Sequence, residues 1–229
     1  MGQDNNKKYI EVPEHGIYSF DELLPGDIEQ RSFEIITEEL GNIELNPCQA
    51  PIIKRVIHTS ADFDYLKNLC FSEHVVEQLH NAIRNGASIV TDTQMAKSGI
   101  NKTRLGKYGG QVYCFMSDSD VAETARNNGT TRAVASMDKA ALIDEPLIFA
   151  IGNAPTALIR LYELIREGRV KPCGIIGVPV GFVNVEQAKE LIMCAGIPYI
   201  VARGRKGGSN VAAAICNALI YETDVQEKK

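Results

Sequence analysis

A histidine followed by two acids is the first arrangement in this chain that could do chemistry. His58 lies in VIHTSADFDY (56–65), after an apolar run and before Asp62 and Asp64. An imidazole can deliver a proton near neutral pH, and a carboxylate beside it can orient it and strengthen its hold on that proton. The plainer role for His58 is to close a helix by bonding a backbone carbonyl. Further on, ARGRKGGSN (202–210) puts Arg203, Arg205 and Lys206 next to Gly207, Gly208 and Ser209. Glycines allow close backbone approach, and free N–H groups at a helix start favour an anion. Cations converging on a helix start read as an anion site, against the plainer reading of a glycine turn whose charges face water. The stretch is no Walker loop, since GxxxxGK[ST] is absent, and no strand end carries the GxGxxG of a dinucleotide fold.

Other polar residues fall where strands should end. Thr91 and Asp92, in the Thr-Asp-Thr corner of ASIVTDTQM (87–95), can contact a ligand or cap a helix. Asn153, in IGNAPT, can bond a ligand or close a capping turn; Arg132, in NGTTRAVAS, can reach a carboxylate or pair with a surface acid. Of the remaining histidines, His74 and His80 read as surface positions on an amphipathic helix, and His15 sits in a polar lead-in. The six cysteines (48, 70, 114, 173, 194 and 216) contain no close pair, and the histidines do not fall at zinc-site spacing with them. Cys114, Cys173, Cys194 and Cys216 lie in apolar patterns, where a reduced thiol behaves as a small hydrophobe. The spacing therefore predicts no metal centre, and no GxSxG elbow is present.

The elements that must position these residues show most clearly from 146 to 218. PLIFAIGNA (146–154), GIIGVPVGFV (174–183) and IPYIVARGRKGGSN (197–210) are apolar runs that each break into a helical pattern. Runs of that length suit strands buried on both faces, and strand–loop–helix units in series read as parallel βαβ architecture. Adding 87–91 and 111–116 predicts a three-layer α/β fold: a mainly parallel sheet of about five strands with helices on both faces. Ligands of such sheets sit at the carboxyl ends of the strands, here the loops 152–155, 179–184 and 203–210.

Ahead of the sheet, apolar spacing from Asp27 to Leu40 and from Pro51 to Ile57 predicts an N-terminal helical extension. The segment 63–71 fits either a short strand or an irregular link. Residues 1–15 and 222–229 read as loose tails around a single domain. With 229 residues, 45% hydrophobic and 23% charged, the composition is that of a soluble globular protein. The net charge of −5 argues against nucleic acid or an anionic membrane as partner. No leader-like apolar region opens the chain and no run is long enough to span a bilayer, which predicts a cytoplasmic protein.

Taken together, IGNAPTALIRLYELI, IIGVPVGFV and PYIVARGRKGGSNVAAAICNAL resemble the precorrin-8X methylmutase family of cobalamin biosynthesis, also called cobalt-precorrin-8 methylmutase. IYSF, VIHTSADFDY, TDTQM with SGI, and NGTTRAVASMD support the resemblance in order through the first half. The resemblance implies a cofactor-free isomerase that moves a methyl group from carbon 11 to carbon 12 of the macrocycle, a formal [1,5]-sigmatropic shift. The product is hydrogenobyrinic acid or its cobalt-containing counterpart. It implies a homodimer with the tetrapyrrole near the subunit interface, His58 as the catalytic histidine, and Arg132 and Ser19 among the substrate contacts. A ring fringed with carboxylates suits a basic loop in an acidic protein. Two other classes remain compatible with the residues: a nucleotide-dependent α/β enzyme and a non-catalytic tetrapyrrole carrier.

Overall fold

The computed structural model describes residues 7–226, with side chains through residue 223. The outer parts of the expected tails, 1–6 and 227–229, lie outside the described residues. The chain divides into two compact units, Met1–Glu44 and Leu45–Lys229.

In the first unit, β1 (Lys7–Val12) and β2 (Gly16–Asp21) form an antiparallel hairpin, followed by helix α1 (Pro25–Leu40). Residues 7–12 thus carry a strand within what reads as a polar lead-in. Tyr9, Ile10, Ile17, Tyr18 and Phe20 are all exposed, although a two-stranded hairpin on its own is marginal in water. Helix α1 stops at Gly41, whose positive φ closes it.

The second unit begins with α2 (Ala50–Ser60), α3 (Tyr65–Asn68), β3 (Leu69–Phe71) and α4 (Val75–Arg84). Next come β4 (Ser88–Thr91), α5 (Gln94–Gly99), α6 (Lys102–Gly106), β5 (Val112–Tyr113), α7 (Ser119–Asn127) and α8 (Arg132–Ala140). The repeating part follows: β6 (Leu147–Ile151), α9 (Pro155–Arg166), β7 (Gly174–Gly177), α10 (Val185–Met193), β8 (Tyr199–Ala202) and α11 (Ser209–Gln226). The sheet has six strands in the order β3-β8-β7-β6-β4-β5, parallel except for β3, which pairs antiparallel with β8. The expected strands are present, and β3 is the sixth. At 111–116 only Val112 and Tyr113 pair as strand.

Helices cover both faces because every residue of β6 is buried. Leu147, Phe149 and Ile151 pack with Met137 of α8, Leu158 and Leu161 of α9, and Ile192 of α10. The alternate residues, Ile148 and Ala150, therefore face the other side. There α11 lies over β6 and β7 and packs against α2, α4 and α5. Alanine-rich α11 is buried nearly all round, from Val211 to Ile220.

Two expectations about burial fail. His80 is 4% exposed, because with Val76, Leu79 and Ile83 it completes the i, i+3, i+4, i+7 stripe that α4 buries. Burial drives its pKa down to about 4, with Arg84 adding to the effect. Cys194 is exposed rather than apolar core, since it caps the end of α10, and all six cysteines are free thiols. No helix among the described residues is long and apolar enough to cross a membrane.

Candidate active site

Helix α2 has two faces of different chemistry. Ile52, Ile53, Val56 and Ile57 are buried, and α2 packs on α11. The helical repeat places Arg55, His58 and Thr59 together on another face. Pro51 starts the helix, and Ala61 in the left-handed region ends it just past His58. Those three side chains form one wall of a cleft of about 280 Å³. Met95 and Gly99 of α5 form the second wall, and Asn210, Ala213, Ala214 and Asn217 of α11 the floor.

The floor is made of small residues because α5 and α11 approach closely. A Cβ on Gly99 would come within 2.9 Å of the Ala213 Cβ. Asn217 pins the turn after α5, donating to Gly99 O and accepting from Asn101 N, both at 2.8 Å. The Arg55 guanidinium lies 4.8 Å from the centroid of the Tyr221 ring, and Arg104 lies 4.4 Å from the same ring. His58 is exposed in this cleft.

The loops at the carboxyl ends of β6, β7 and β8 converge, as the alternation of strands and helices predicts. A Cβ on Gly152 would sit 2.8 Å from Ser209 Cα, and one on Gly207 would run into the Val178 carbonyl. Only glycine allows these backbones to meet. Gly208 N–H donates to Val178 O at 2.9 Å, Gly181 N–H donates to Arg205 O at 3.2 Å, and Ser209 Oγ shares a 2.7 Å hydrogen bond with Thr93 Oγ1.

Two residues expected to contact ligand instead build this platform. Asp92 is fully buried, and its oxygens accept from Gly152 N–H (2.8 Å), Asn153 N–H (2.8 Å) and Ala154 N–H (2.6 Å). Burial pushes the Asp92 pKa up while these donors pull it down. Thr91 is also fully buried, its hydroxyl placed 3.1 Å from both Thr93 O and Tyr113 O. Both hold loops rather than present groups to the cleft.

The cations of the basic loop are paired. Arg203 bonds Glu190 (3.1 Å), and Arg205 bonds Glu186 (2.9 Å) while stacking 5.6 Å from the Phe182 centroid. Lys206 Nζ lies 2.6 Å from both Asp62 and Asp64, whose hydrogen bonds raise its pKa, and the same contact lowers that of Asp62. The acids that follow His58 therefore engage the loop lysine.

The side chain of Asn153 is exposed at the crest of its loop. Arg132 is exposed at the first position of α8, where Thr131 caps the helix by accepting from Val134 N–H. It lies on the side of the sheet covered by α8–α10 and not in the cleft wall. Ser19 is exposed on β2, in the first compact unit. Spacing did not single out Arg55, Met95, Asn210 or Asn217; Arg55 was findable, lying one helical turn before His58. Among the described residues, no group of three or more His, Cys, Asp and Glu could hold a metal ion.

These features define an α/β enzyme class: a histidine in a solvent-open cleft, an arginine beside it, and a basic loop on converging strand ends. A sequence profile of the precorrin-8X methylmutase family matches residues 27–222. A cobalt-precorrin-8 methylmutase of Priestia megaterium is 48% identical over 202 residues, covering 88% of this chain and 90% of its own. One from Salmonella typhimurium is 47% identical, covering 86% of this chain and 95% of its own. The crystal structure of a precorrin-8X methylmutase from Thermus thermophilus superposes with a TM-score of 0.79 at 39% identity, covering 87% of this chain and 98% of that one. The chain belongs to the precorrin-8X methylmutase family, isomerases of cobalamin biosynthesis that shift a methyl group within one molecule.

Proposed function

We propose that this protein moves the methyl group from carbon 11 to carbon 12 of a precorrin-8-type tetrapyrrole, with His58 as general acid and the cobalt-loaded ring as its natural substrate. The observation that carries the reading is the exposed His58 beside Arg55 in an open cleft floored by small residues. Protonation of the ring by His58 draws electron density from the migrating terminus, and one positioned acid contributes about 10²–10⁴-fold. Holding the reactive conformer supplies the rest. Arg55, the basic loop and the exposed Asn153 and Arg132 suit the peripheral carboxylates. The names of the two relatives at 47–48% identity support the cobalt-loaded form.

In this reading the chain acts as one functional domain in the cytoplasm, supported by a family match that runs through both compact units. It works as a homodimer. The exposed apolar residues of the β1–β2 hairpin support this, since they call for cover that the hairpin does not give itself. The decisive experiment incubates the purified protein separately with metal-free precorrin-8X and cobalt-precorrin-8 and follows the visible spectrum. Conversion of the cobalt form at the higher rate is expected. Binding without any spectral change would make the protein a carrier, and sedimentation showing only a 25.1 kDa species would remove the dimer.

A further inference from the structure

Helix α10 buries Val185, Ala188 and Ile192, and in the same stripe it buries Lys189, which is 0% exposed. An ammonium removed from water is costly unless its hydrogens are met. Here Nζ donates to Gly204 O at 2.7 Å and to Lys206 O at 2.8 Å. Glu186 and Glu190, on the same side of the helix, hold the side chains of Arg205 and Arg203. One helix face thus grips the basic loop along 203–206, by side chains at 203 and 205 and by carbonyls at 204 and 206.

We propose that Lys189 is a positioning residue of the methylmutase site, fixing the backbone of the 203–208 loop so that it receives a substrate carboxylate. The inference rests on the tetrapyrrole reading above. Its physical basis is the planarity of the peptide. In a trans peptide the C=O and the next N–H point in opposite directions, and the described chain contains no cis bond. Drawing the carbonyls of Gly204 and Lys206 onto the ammonium therefore turns the N–H groups of Arg205 and Gly207 away from α10. Neither N–H has a hydrogen-bond partner among the described residues. Two amides held in one direction on this loop, whose three cations are each paired with an acid, can both donate to a carboxylate. Lys189 touches no substrate in this arrangement and acts through the loop.

The test compares wild type, Lys189→Met and Lys189→Gln, each with and without Arg203→Ala, using cobalt-precorrin-8 as the probe. Lys189→Met keeps the length of the side chain and removes the donors. Its dissociation constant should rise by about tenfold or more, the value of a charge-assisted hydrogen bond. Single-turnover rate at saturation should fall less, and Lys189→Gln, which keeps donors, should lie between. Because Lys189 acts through the loop, Arg203→Ala should weaken binding in wild type but add little in Lys189→Met. Unchanged affinity in Lys189→Met, or losses that multiply independently, would overturn the proposal. Should Lys189→Met fail to fold, hydrogen exchange of wild type decides. The probe should protect the amides of Arg205 and Gly207, and unprotected amides in the bound complex refute the inference. A wild type that neither binds nor converts the probe would refute the tetrapyrrole reading instead.

Discussion

Replacing Asp92 by asparagine separates scaffold from chemistry at the carboxyl edge of the sheet. One carboxylate oxygen takes Gly152 N–H, and the other takes Asn153 and Ala154 N–H. Asparagine keeps the shape but exchanges one oxygen for an NH₂ group. In its better orientation the amide oxygen keeps Asn153 and Ala154, and the NH₂ then meets Gly152 N–H donor to donor. A lost hydrogen bond to a charged group costs about 1.5–3 kcal/mol, and weakening the other two from charged to neutral adds about 1 kcal/mol. Relief of carboxylate desolvation, which already pushes the Asp92 pKa up, offsets part of this. The net is a destabilisation of about 2–4 kcal/mol. At about 2–4 °C per kcal/mol for a chain of this size, Tm should fall by about 5–15 °C. Urea unfolding followed by circular dichroism measures the loss directly, with m unchanged. Asp92→Asn that unfolds within 1 kcal/mol of wild type yet no longer binds tetrapyrrole would refute the argument and make Asp92 a ligand contact.

Three further outcomes are expected. His58→Asn should keep fold and tetrapyrrole affinity while turnover falls by about 10²-fold or more, and near wild-type turnover in the folded variant would rule out proton donation by His58. Lys206→Ala should weaken tetrapyrrole binding more than Arg203→Ala, because it also uncovers Asp62 and Asp64 beside the loop; equal losses would show that the two acids do not face the ligand. Burial lowers the Lys189 pKa to about 8 from 10.5 in the unfolded chain, so between those values the unfolded state binds more protons and stability rises with pH. The stability of wild type relative to Lys189→Met should therefore be flat below pH 8 and climb toward pH 10, and a flat difference throughout would show that the lysine is not desolvated.

The sheet was legible because its strands are buried on both faces and so appear as unbroken apolar runs. Strand β3 was not, because its three residues give no period and it pairs against the direction of the others. Nor was the hairpin: both of its faces are exposed, so Lys7–Val12 shows no alternation between apolar and polar residues. Of the cleft, His58 was legible from its motif, while the walls and floor on α2, α5 and α11 were not, and neither was the division of labour at the strand ends. Asp92 and Thr91 stand where ligand contacts usually stand, and only the closeness of Gly152–Ala154 shows that Asp92 is already satisfied. Lys206 appeared as a cation awaiting an anion, yet its partners are the acids that follow His58. Lys189 left a readable sign, sitting on the stripe of Val185, Ala188 and Ile192 as His80 sits on that of α4. On α10 the charge at i+4 of the apolar stripe is a buried ammonium whose partners, the carbonyls of Gly204 and Lys206, come from the loop before α11.

The position of Asp92 also leaves the usual nucleotide place of such a sheet without the free N–H groups of 152–154. β4 and β6 are neighbours, but the chain leaves β4 toward β5 on one side and leaves β6 toward β7 and β8 on the other. At such a switch point the loops part, and backbone N–H groups near a helix start face a crevice that phosphates fill in many α/β proteins. Here the Asp92 carboxylate occupies that crevice and takes the N–H groups of 152–154, ahead of α9. A second anion there would meet a buried negative charge and find its donors spent. On the flank, α2, α5 and α11 leave a cleft with a floor of alanine and asparagine. A floor without bulky side chains can receive the edge of a broad ring, and α2 presents His58 and Arg55 to it from the side. Such a geometry needs a rigid platform more than a phosphate grip, and the carboxylate sealed into the switch point provides part of that rigidity.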